Sequence, residues 1–126
     1  MNVLIIALDA VMPVEVSEAE VLVVAPALNS RLRRWLSDED DARHRAEQLA
    51  GTFVELLEGG GVRARGRVGD ADPLLAIADA LPTFPADQIV IAGRLERLSG
   101  LDELVSRVRN RFALPIRAAD SLPRAA

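Results

Sequence analysis

Three short apolar runs constrain this chain more than anything else in it: Val3 to Leu8, Val21 to Ala25, and Gln88 to Ala92. Runs of this length without polar alternation mark strands buried on both faces, and such strands belong to parallel sheets covered by helices. Asp9 bounds the first, Pro26 closes the second and Gly93 follows the third. Val62 to Val68 alternates instead, with Arg63, Arg65 and Arg67 on one face, and reads as a half-exposed strand near a sheet edge. Leu114 to Ala118 is a weaker fifth strand, whose Pro115 suits an edge or a strand start.

Helices fill the gaps. Ser37, followed by Asp38, Glu39, Asp40 and Asp41, reads as an N-cap with acidic residues over the positive end of the helix dipole. Ala42, Ala46, Leu49, Phe53, Leu56 and Leu57 then share one helical face, and Gly59 to Gly61 ends the helix. Asp72 and Pro73 open a second helix, with Leu74, Ile77, Ala78 and Leu81 as its expected buried face and Pro82 as its stop. Ser99, with Asp102 three residues on, reads as the cap of a third helix that buries Leu101, Leu104, Val105, Val108 and Phe112.

Strands alternating with helices predict a three-layer α/β/α sandwich of about five mostly parallel strands. Residues 1–120 form the expected single domain, and 121–126 a flexible tail. The link from Ala10 to Glu20 is too short for comfort, since a parallel crossover takes about a dozen residues, usually with a helix. Either the first helix is truncated, an irregular crossing replaces it, or the first strand lies elsewhere.

Composition removes much chemistry. All the basic residues are arginine apart from His44, so Schiff-base, phosphate-loop and general-base lysines are excluded. With no cysteine there is no disulfide, thiolate nucleophile or cysteine-ligated metal. A net charge of −4 argues against nucleic acid as partner. No stretch approaches a membrane span, and Met1 to Leu8 lacks the basic leader of a signal peptide, so the expectation is a cytoplasmic protein.

Ligands of open α/β sheets bind outside the carboxyl ends of the strands. That rule brings Asp9, Asn29 with Ser30, Asp70, and Gly93 with Arg94 to one rim, where Ser99 and Gly100 offer a hydroxyl and amides. An anion or nucleotide is the ligand such a set would hold; turn and cap chemistry is the plainer use of Asp9, Asp70, Asp72 and Ser99. Arg31, Arg33 and Arg34 beside Trp35 form a basic-aromatic cluster able to stack a base or grip phosphate, or simply a solvated face anchored by the indole. His44 lies in a charged helical stretch without a visible nucleophile or orienting group, and the run Asp38 to Asp41 points around its helix instead of converging on a metal.

Several of these residues resemble the universal stress protein superfamily. Ile6 to Asp9 is similar to that family's first strand with its adenine-proximal aspartate, and Val68 to Pro73 to its third strand and following helix start. Ala86 to Gly93 resembles its fourth strand, and Leu114 to Ile116 its last. The block from Pro26 to Asp40 resembles an actinobacterial branch of such proteins. ATP-binding members carry Gly-x2-Gly-x9-Gly-Ser/Thr after the fourth strand; counting from Gly93, the later glycine positions hold Glu96 and Ser106. Phosphate must approach bare amides there, and Glu96 puts a negative charge beside it. The resemblance therefore implies a non-enzymatic regulatory or stress-response protein, without a required cofactor and with ATP disfavoured. It also implies a homodimer, paired through the last strand at Leu114 to Ala118. The alternative is a small-ligand protein that holds a nucleotide or another anion at the rim. A nucleotide hydrolase of the same wider fold is a further rival, opposed by the missing lysine, cysteine and phosphate loop.

Overall fold

The computed structural model of the protein describes residues 1–9, 11, 13–16, 19–28, 39–93 and 98–119. Its strands are β1 (Asn2–Ala7), β2 (Glu20–Pro26), β3 (Arg63–Gly69), β4 (Gln88–Ala92) and β5 (Ile116–Ala119). They pair in the order β3-β2-β1-β4-β5, and every neighbouring pair is parallel. Three helices complete the described residues: α1 (Glu39–Gly59), α2 (Pro73–Ala80) and α3 (Leu98–Arg111). The architecture is the three-layer α/β/α sandwich that the alternation of strands and helices predicts. None of these helices is long and apolar enough to cross a membrane.

Two cores lie on opposite faces of the sheet, as strand periodicity requires. Val3, Ile5 and Ala7 of β1 join Val21 and Val23 of β2 beneath Ala46, Ala50 and Phe53 of α1. Leu4 and Ile6 join Leu22, Val24 and Ile89 beneath α2 and α3. β1 is the centre of both, with Val3 to Ala7 wholly out of solvent. β3 is an edge strand with Arg63, Arg65 and Arg67 exposed, as the alternation predicts.

The short link after β1 joins two adjacent parallel strands. β1 lies where the apolar run puts it, and the described residues between Leu8 and Glu20 contain no helix. Val11, Val14 and Val16 pack against the α1-side core instead.

Helix boundaries and faces differ in places from expectation. α1 ends as expected: Val62 N–H bonds to Leu57 O and Gly61 N–H to Glu58 O, with Gly61 at φ 85°. Leu56, expected on its buried face, is 51% exposed. At about 100° per residue it lies about 80° around the helix from the centre of the stripe set by Ala42, Ala46, Ala50, Phe53 and Leu57. On α2 the fully buried residues are Ala76, Ile77 and Ala80, while Leu74, Ala78 and Leu81 are half-buried. Close approach explains this rotation: a Cβ on Gly69 would lie 2.9 Å from Ala76 Cβ and 2.6 Å from Val24 Cγ1. Only a helix face of small residues can come so near the sheet. β5 starts at Ile116, two residues later than expected, although Pro115 O still accepts from Ile89 N–H. α3 begins at Leu98, so Ser99 is a helical residue and not the cap.

Ser37, Asp38, Ser30, the Arg31 to Arg34 cluster, Trp35, Glu96 and the 121–126 tail lie outside the described residues.

Candidate functional site

Strand order reverses between β1 and β4, the neighbours whose onward connections run to opposite sides of the sheet. In open α/β folds the crevice at this switch point is where ligands sit. Here the ladder continues past both strands, with Leu8 N–H donating to Ala92 O at 2.9 Å. Leu8 is only 5% exposed and packs into the α2 and α3 core. A Cβ placed on Gly93 would meet Leu8 Cδ1 at 2.8 Å and Leu8 Cβ at 3.2 Å. Gly93 thus leaves room for the Leu8 side chain, which packs into the core at the ends of β1 and β4.

Asp9 follows Leu8 and is exposed at the rim. Beside it, on the α1 side, lies an open hollow of about 600 Å3. Its apolar wall includes Leu8, Val11, Pro26, Leu28 and Leu49, and its polar groups are Asp9, Arg45, Gln48 and Thr52. Arg45 is the one cation among these lining residues. Thr52 Oγ1 donates to Gln48 O at 2.9 Å, so the hydroxyl proton is engaged with its own helix while the oxygen can still accept.

Of the residues expected at the rim, Asp9 and Gly93 come together through Leu8. Gly100 sits half-buried in the first turn of α3. Ser99 is helical beside it, and Asn29 and Arg94 lie outside the described residues. Asp70 and Asp72 are used as a turn and a cap: Asp70 Oδ1 accepts from Asp72 N–H and Asp72 Oδ1 from Leu74 N–H, each at 2.9 Å. Among the described residues no group of acidic side chains and histidine is placed to hold a metal ion. His44 is exposed between exposed Arg43 and Arg45 on α1, and does not line the hollow.

Arg45, Gln48 and Thr52 were not legible as site residues from chemistry alone. Their spacing along one face of α1 is the available signal, since residues three and four apart on a helix are neighbours. The described arrangement offers a carboxylate, a guanidinium, an amide and a hydroxyl around an apolar floor. It can hold a small ligand by hydrogen bonds. Neither a protein-family model nor any curated protein matches this chain.

Proposed function

We propose that the protein is a non-enzymatic, cytoplasmic member of the universal stress protein superfamily, acting in regulation or stress response and no longer binding ATP. The observation that carries this reading is the tight packing of Leu8 on Gly93 at the switch point, which puts an apolar side chain beside the glycine backbone that a phosphate would need bare. A nucleotide needs that crevice open for its base and bare amides for its phosphates. Glu96 at the second glycine position of the ATP signature adds a like charge to the same loop.

Isothermal titration with ATP, with and without magnesium, tests the reading. The expected result is no saturable heat and an unchanged melting temperature at millimolar ATP. A nucleotide present at about 100 times its Kd would add about 2.7 kcal/mol to stability, so true binding is hard to miss. Saturable binding that is lost in Asp9→Ala and Arg94→Ala overturns the proposal.

One observation favours a second reading, a small-ligand protein: the hollow beside Asp9, with Arg45, Gln48 and Thr52 on its wall. Thermal-shift screening with small carboxylates and phosphates separates the two. A ligand whose stabilising effect disappears in Arg45→Ala supports this second reading.

The proposal includes a homodimer through Leu114 to Ala118. β5 is a sheet edge, which supports the idea, but Arg109 already engages its Ile116 carbonyl and would have to release it for the sheets to join.

A further inference from the structure

We infer that the outer edge of β3 accepts an extended acidic segment of a partner protein as an added strand. The two edges of the sheet are not equivalent. β5 has four residues, and the bonds from Ile89 N–H to Pro115 O and from Gly93 N–H to Ala119 O turn its odd-numbered backbone groups inward. Ile116 therefore directs its carbonyl outward, where Arg109 Nη2 donates to it at 3.2 Å. One outward group of that short edge is thus already engaged.

β3 has seven residues in unbroken register with β2, and Gly69 O accepts from Ala27 N–H. The backbone groups of Ala64, Gly66 and Val68 consequently face away from β2. No described residue bonds to them. A long row of unpaired donors and acceptors is a template for another strand.

The side chains say what kind of strand. Arg63, Arg65 and Arg67 share one face and are exposed. Arg63 lies 3.8 Å from Glu20, but both side chains are well exposed, and such a pair is weak. Arg65 and Arg67 have no ion pair among the described residues. α2, eight residues long, meets β3 at Gly69 and leaves the arginines uncovered. This basic stripe stands on a chain of net charge −4.

An extended segment with acidic residues at alternate positions satisfies both features, because its side chains fall directly beside the arginines while its main chain completes the ladder. A second copy does not fit, since twofold pairing of β3 with itself sets arginine opposite arginine on one face. The chain's own acidic run is unsuitable too, as Glu39, Asp40 and Asp41 are helical in α1. A nucleic acid would meet the charges but leave the edge N–H and C=O groups unpaired.

The test is fluorescence polarisation of the full chain with a short labelled peptide alternating glutamate and valine. Two controls accompany it: the same peptide N-methylated on every second amide, and the double variant Arg65→Glu/Arg67→Glu, checked for folding by circular dichroism. The expected result is saturable binding, at least about tenfold weaker for the methylated peptide and for the double variant, and weakened by salt. The methylated peptide keeps the test decisive even if the variant fails to fold. No binding of the parent peptide overturns the inference. So does equal binding of the methylated form, or tighter binding of a single-stranded oligonucleotide of equal charge.

Discussion

Arg117, on the edge strand β5, donates from Nη2 to the main-chain carbonyl of Glu15 at 2.8 Å, across 102 positions of sequence. This bond ties the crossing between β1 and β2 to the opposite side of the sheet. β4 lies between β1 and β5, so the Arg117 side chain reaches a link that starts and ends on strands beyond its own neighbour. Val11, Val14 and Val16 give it a grip on the core along the way. Three valines and one guanidinium do here what a crossover helix does in most parallel sheets.

Arg117→Ala should loosen this strap without unfolding the sheet. The contact is exposed, so the expected loss is about 1 kcal/mol in chemical denaturation. Amide exchange should rise in residues 11–16 and stay unchanged in β1. Uniform loss of protection across β1 and β4 would mean that the strap holds up the core itself.

Leu8 and Gly93 should behave as one unit. Leu8→Ala removes a buried side chain and is expected to cost about 2–4 kcal/mol. Gly93→Ala overpacks the same spot and should cost about 1–3 kcal/mol. In the double variant the new methyl enters the space vacated by the leucine, so the combined loss should be clearly less than the sum. Urea unfolding of all four proteins measures the coupling, and strict additivity would refute the contact.

Neighbouring leucines of α1 should diverge sharply. Leu57, 5% exposed, should cost about 2–5 kcal/mol when changed to alanine, whereas Leu56, 51% exposed, should tolerate glutamate within about 0.5 kcal/mol. Paired melting curves decide it. Equal losses would place Leu56 in the core.

Arg109→Ala frees the Ile116 carbonyl at the β5 edge. If the protein dimerises by joining these edges, sedimentation should show tighter association for the variant than for the parent. Weaker association would instead make Arg109 part of the dimer contact.

Most of the sheet is legible in the sequence, for a physical reason. Strands buried on both faces write their burial into consecutive positions, so β1, β2 and β4 appear as unbroken apolar runs. The alternation of Arg63, Arg65 and Arg67 likewise marks β3 as an edge. Helix faces are less legible, because an amphipathic stripe is wide enough to allow two centres. The partner surface chooses between them, as Gly69 does by demanding Ala76 above it. At the candidate site, Asp9 and Gly93 can be read from the strand ends. The contact of Leu8 with Gly93 cannot, since a leucine in an apolar run does not reveal which backbone it will pack on. Arg117 is hidden for another reason: nothing near it in sequence hints at Glu15.

β1 holds the middle of the sheet, between β2 and β4, and Asn2 bonds to Asp87, 85 positions later. At about 5–20 residues per second, the ribosome delivers β4 on the order of ten seconds after β1. Throughout that interval the most apolar strand of the protein can be covered along one edge only, by β2. A central strand made before its second neighbour keeps that edge open until the neighbour emerges.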